Sequence, residues 1–253
     1  MKNATKASLR RQNPGIAASR ATWLEIGAIL LLVLAPSLSS LTCSLLWGSE
    51  YQKLEQDRRD AEYKTTTAFE TAKFWSMVNQ LRLVPVVLFV MWRSGKGWAC
   101  FGLGKPRIGK DILIGLFLWL IAAIFSSFVD VAFERRPHPS FLFYPSLIPW
   151  HRGILLLADC CAIGFSEELV FRAYLIPRLE AVTGATWKSV VLSVVLFGFG
   201  HLSKGYVGVI HSVVAATILS IGFCLTRRLL PVAISHAISD FITGTRLSSF
   251  VGS

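Results

Sequence analysis

The chain has 253 residues, of which 53% are hydrophobic and only 16% charged, and its mean hydropathy is +0.54. A soluble domain rarely joins so few charges to so much apolar content, so the composition points to a polytopic membrane protein. The net charge of +11 suggests a nucleic-acid partner at first sight, but the basic residues stand in short clusters between apolar runs. That pattern orients membrane helices and is no nucleic-acid footprint.

Residues 1–20 form a basic polar tail with Lys2, Lys6, Arg10, Arg11 and Arg20, expected to be disordered and cytoplasmic. The first apolar run, residues 23–47, is too long for the apolar core of a signal peptide and lacks a small-x-small cleavage site. It reads as an uncleaved span. Residues 49–73 carry charges of both signs and read as an external loop, helical in part. A second span is expected at 74–92, then a basic loop with Arg93, Lys96, Lys105, Arg107 and Lys110, then a third span at 112–133. The Pro- and aromatic-rich stretch 136–150 reads as a connector on the outer face.

Further spans are expected at 154–179, 187–201, 207–225 and 229–242. The last is short against the roughly 20 helical residues that cross hydrocarbon. The fold class is therefore all-α, a polytopic transmembrane helix bundle of about seven or eight spans. Residues 21–253 form one transmembrane domain, with the candidate catalytic core at 150–243. Trp23, Trp47, Trp75, Trp92, Trp150 and Trp187 fall at span ends, where an aromatic belt belongs. Alternating the spans from a cytoplasmic N-terminus puts the loops at 93–110, 178–188 and 226–228 on the inner face, each with Lys or Arg. A bacterial plasma membrane is the default location. The five cysteines show no CxxC spacing and read as small apolar residues within helices.

Ionisable residues in hydrocarbon cost several kcal/mol and are paired or functional. Glu167, Glu168 and Arg172 sit in one apolar segment, His201 ends the next, and His236 and Asp240 occupy the last. Glu168 and Arg172 are i,i+4 with the acid first, the favourable order for a salt bridge along a helix. Glu167 lies a quarter-turn away and has no such partner, because Ile163 and Phe171 flank it at that spacing. It is the carboxylate left over, able to hold a water and accept its proton. His236 and Asp240 share a helix face, and the glycines of Phe197-Gly198-Phe199-Gly200-His201 allow close approach. Read as function, these residues form one polar pocket; read as structure, they are hydrogen-bonding glue between helices. The span boundaries put Glu167 and His236 near mid-membrane but His201 near the outer end of its segment. His211, His138 and His151 lack such a context, and Asp130 reads as interfacial.

The ordered set Glu167-Glu168-x-x-x-Arg172, Phe197-x-x-x-His201 and His236-x-x-x-Asp240 resembles the CPBP family, the CAAX prenyl proteases and bacteriocin-processing enzymes. The loop Phe101-Gly102-Leu103-Gly104 and the helix after it are similar too. The resemblance implies a membrane-embedded endopeptidase that cleaves a peptide bond with an activated water. Glu167 would be the general base, assisted by His201. His236 and the residue four positions on would stabilise the oxyanion, while Glu168 and Arg172 would hold the architecture.

Many members of the family carry Asn where this chain has Asp240. An ionised Asp cannot donate to an oxyanion, so Asp240 is protonated, orients His236, or ligates a metal. The resemblance favours a metal-free glutamate mechanism and no cofactor. If zinc were bound, Glu167, His201, His236 and Asp240 would be its ligands. The implied partners are a peptide or membrane-anchored protein substrate and the lipid bilayer, with oligomeric state open. The competing class is a non-enzymatic membrane scaffold or bacteriocin-immunity protein.

Overall fold

A computed structural model describes residues 14–64, 66–133 and 150–250. Most of the described residues are helical, and none of them forms a strand. The elements are α1 (Pro14–Lys64), α2 (Thr66–Leu81), α3 (Val84–Arg93), α4 (Ile108–Ala132), α5 (Trp150–Glu168), α6 (Ile176–Thr183), α7 (Thr186–Gly200), α8 (Gly205–Thr226) and α9 (Leu229–Phe250). A π-helical stretch, Leu169–Leu175, joins α5 to α6, and short 3₁₀ turns precede α4 and α8. The fold is an all-α bundle, as the hydropathy pattern predicts.

All seven apolar segments expected from the sequence are helical. Four helical stretches are long and apolar enough to cross a membrane unaided: Arg20–Tyr51, Thr67–Arg93, Ile108–Ala132 and Leu202–Thr226. Thr186–Gly200 and Leu229–Gly244 are apolar but shorter. The six tryptophans expected at span ends are all exposed on the outside of the bundle.

Two expectations differ from the structure. The stretch 49–73 is helix over nearly its whole length, because α1 runs on past a break at Gly48 (φ 53°) to Lys64 and α2 follows at once. Of the expected tail, residues 1–13 lie outside the described residues, and helix begins at Pro14. The connector at 136–150, with His138, lies outside them up to residue 149; His151 stands exposed in the first turn of α5.

The basic loops gather at one end of the bundle, tied by ion pairs. Glu25 of α1 meets Arg178 of α6 and Arg93 at the end of α3. Glu180 of α6 accepts from both terminal nitrogens of Arg227, at 2.8 and 2.7 Å, and this hydrogen bonding holds its carboxyl below the usual range. Arg228 grips the buried Asp111 at the start of α4 at 2.6 and 2.7 Å. Gly102, held at φ 75°, offers its carbonyl to the Leu229 N–H at 3.0 Å and so fixes where α9 enters. A side chain there would meet Phe223 at 2.7 Å.

From that end α9 runs between α5 and α4. Its contact with α5 is backbone against backbone: a Cβ on Gly164 would lie 2.9 Å from Ala237 N and 3.0 Å from Ala233 O. One turn beyond Gly164, α5 delivers Glu167 and Glu168. Residues 168–179 are then buried without a break, so the π-helical stretch is enclosed by protein on every side.

Candidate active site

The close α5–α9 contact brings His236, which lies between Ala233 and Ala237, against the two glutamates. Glu168 Oε1 accepts from Arg172 Nη1 at 2.8 Å and from His236 Nδ1 at 2.7 Å. A carboxylate that accepts from Arg172 has no proton to give, so the imidazole Nδ1 carries the hydrogen. Nε2 is thereby turned toward Asp240 Oδ2 at 3.4 Å and Glu167 Oε2 at 3.8 Å. The last distance is too long for a direct hydrogen bond. Glu167 Oε2 is buried and makes no hydrogen bond to protein.

Exposure separates the three acids. The Glu168 side chain is 0% exposed, that of Glu167 21% and that of Asp240 32%. Only Glu167 and Asp240 can meet a water or a substrate.

Arg172 stands in the π-helical stretch, a helical form frequent at functional sites. Its second terminal nitrogen donates to the Ala216 carbonyl at 3.3 Å, and its guanidinium lies 4.5 Å above the Phe197 ring. That ring also stacks on His201 at 4.4 Å and turns an edge to His236 at 6.2 Å. Phe197 and His201 are one turn apart on α7, which puts both rings on one face. His201 Nδ1 lies 2.8 Å from the Phe197 carbonyl at the frayed end of α7. A carbonyl can only accept, so Nδ1 donates and Nε2 keeps its lone pair.

Three cavities, of about 480, 490 and 410 Å³, share His201 in their walls. Glu167 lines the second and third, and His236 and Asp240 line the first and third. His201 therefore reaches the depth of Glu167, despite its place at the end of its segment. Gly198 abuts Val213 of α8, and the Gly200 carbonyl accepts from Ser37 Oγ of α1 at 2.6 Å. Both glycines serve the close approach expected of them.

All six residues singled out in the sequence thus surround one centre. The bond from His236 to Glu168 is new, since Glu168 was assigned to Arg172 alone; helix spacing reveals partners within α5 but not across to α9. Phe197 was visible only as a motif position. Lys73 of α2 pairs with the buried Asp159 of α5 at 3.6 Å, and Arg82 lines the second cavity; Asp159 and Arg82 stand within expected spans and were legible as misplaced charges, whereas Lys73 ends the stretch read as a loop. His211 Nε2 bonds Asp130 Oδ1 at 3.0 Å, joining α8 to α4 at the wall of the first cavity.

Zinc would need three or four donors converging at about 2.0–2.3 Å on one point. Among the described residues no group of three or more His, Cys, Asp or Glu side chains is arranged to hold a metal ion. The side chains as they stand do not fit a metal, and no step is derived through one.

Comparison with curated proteins and with solved structures gives no match. Residues 149–242 match the family model described as type II CAAX prenyl endopeptidase Rce1-like, a segment that spans the whole constellation from α5 to α9. The match supports a protease set in a membrane. The similarity is confined to residues 149–242, and it is consistent with the CPBP and CAAX protease family.

Proposed function

We propose that this protein is an intramembrane endopeptidase in which Glu167 activates the attacking water. The observation that carries the proposal is the Glu167 carboxylate itself: accessible from two cavities, without a hydrogen bond at Oε2, and beside two imidazoles whose Nδ1 positions are already committed. A scaffold has no use for such a group.

In the proposed reaction Glu167 takes a proton from water, and the water oxygen bonds to the scissile carbonyl carbon. The lone pair on His201 Nε2 orients that water. The carbonyl π-electrons move to oxygen, and the oxyanion accepts from His236 Nε2–H. A ring protonated on both nitrogens finds a carboxylate on each side, Glu168 at Nδ1 and Asp240 at Nε2. Asp240 thus orients His236 and balances its charge. When the C–N bond breaks, the leaving amine takes the proton held by Glu167. The general base and the oxyanion donor each contribute about 10²–10⁴-fold on ordinary precedent.

The proposed substrate is a peptide or a membrane-anchored protein. The proposed setting is a bacterial plasma membrane, with the ion-paired face of Arg93, Arg178, Arg227 and Arg228 turned to the cytoplasm. The test is cleavage of a quenched-fluorescent peptide library by detergent-purified wild type and Glu167→Gln, with and without a zinc chelator. Turnover by wild type, unchanged by chelator and reduced at least about 100-fold in the variant, is the expected result. Loss on chelation with recovery on added zinc would replace the metal-free mechanism. Equal cleavage by both proteins would return the motif residues to the scaffold reading.

A further inference from the structure

Arg82 stands at the middle of the membrane-length stretch Thr67–Arg93, in the two-residue break between α2 and α3. A charge at that depth is expensive, and in membrane proteins it is normally paired, coordinated or functional. Among the described residues no carboxylate pairs with it. It lines the cavity of about 490 Å³ between α1, α2 and α5 that holds Glu167, and its own side chain is exposed. Glu167 does not neutralise it; the near neighbour of that carboxylate is His236 at 3.8 Å. Asn79 and Gln80 line the same cavity on the turn before Arg82. Gln80 Oε1 lies 3.3 Å from Ser166 Oγ, whose single proton is better placed for the Ala162 carbonyl at 2.7 Å, and the Gln80 amide has N–H groups to donate.

A guanidinium and amide donors on one wall of an intramembrane cavity make a site for a planar anion. The depth disfavours a lipid headgroup, which lies at the surface. We propose that Arg82, with Gln80, binds a carboxylate of the substrate and so sets which bond reaches Glu167. That carboxylate is either the free C-terminus of the peptide or an acidic side chain beside the scissile bond. Arg82 is a specificity residue: it touches substrate away from the reacting atoms. The assignment rests on the endopeptidase reading above, but its binding half is measurable without turnover.

The test uses the full-length protein in detergent, wild type, Arg82→Gln and Arg82→Lys, with three probes: acetyl-Leu-Ala-Leu with a free carboxylate, its C-terminal amide, and acetyl-Leu-Glu-Leu amide. Affinity is measured calorimetrically. Wild type should bind a carboxylate-bearing probe about 10- to 100-fold more tightly than the neutral amide, the range of one charge-assisted hydrogen bond. Arg82→Gln should abolish that preference and Arg82→Lys keep part of it. Tight binding of the free acid alone assigns the C-terminus; tight binding of the glutamyl amide assigns the side chain. On a cleaved peptide carrying the preferred carboxylate, Arg82→Gln should raise KM about as much and leave kcat nearly unchanged. Equal affinity for acid and amide, no binding of any probe, or a preference that survives Arg82→Gln overturns the proposal. A carboxylate preference in a protein that cleaves nothing would leave the anion site standing and remove the peptidase reading instead.

Discussion

Glu167 and Glu168 are neighbours at the end of α5 with opposite fates, and the π-helical stretch begins just after both, at Leu169. Glu168 is sealed between Arg172 and His236; Glu167 faces the cavities. Removing Arg172 strands a buried carboxylate, a loss that typically costs about 3–5 kcal/mol. Arg172→Ala should therefore lower the thermal unfolding midpoint in detergent by many degrees and reduce the yield of folded protein. Glu167→Gln should leave the midpoint within a degree or two of wild type, because Glu167 makes no hydrogen bond through Oε2. Equal destabilisation by the two substitutions would contradict the division of labour between them. The sequence made both assignments legible, since i,i+4 spacing identifies Arg172 as the partner of Glu168 and leaves Glu167 without one. The His236–Glu168 bond was not legible, because it depends on the register of α9 against α5.

That register is set at Gly164. With backbone atoms of Ala233 and Ala237 within about 3 Å of a Cβ at this position, any larger residue must push α9 away from α5. Gly164→Val should cost about 1–3 kcal/mol, the usual price of overpacking. It should also abolish activity while every polar site residue remains in place, since His236 moves with α9. Wild-type turnover in Gly164→Val would show that the contact does not position the site. Just before the start of α9, the Glu180–Arg227 pair gives a pH-dependent element of stability. The carboxyl of Glu180 is held below its ordinary value, so its stabilisation is full above that value and is lost as pH falls through the folded one. The difference in unfolding midpoint between wild type and Glu180→Gln should be constant above the ordinary glutamate range and shrink steadily as pH falls below it. A difference unchanged over that range would mean the pair adds nothing specific. The helical character of 49–64 was the part of the elements hidden from sequence: a stretch polar on all sides has no apolar stripe, and pairs such as Glu55–Arg58 sustain it instead.

Across the whole molecule, the hydropathy pattern, the tryptophan positions and the basic loops anticipated the bundle and the end at which its loops gather. The convergence of three distant segments on one centre was anticipated only by the order of their motifs. Depth was the weak point, because counting residues from a segment's end places His201 away from Glu167, whereas the packed bundle puts both on the same cavities. The central claim is that water, deprotonated by Glu167, attacks the peptide carbonyl directly. A single-turnover reaction in ¹⁸O-water, with enzyme in excess over a cleaved peptide and products read by mass spectrometry, tests it most directly. The account predicts one ¹⁸O in the new carboxylate from the first turnover, and no product with Glu167→Gln. An unlabelled first-turnover product would mean that the oxygen came from a protein carboxylate through a covalent intermediate, and would contradict the account.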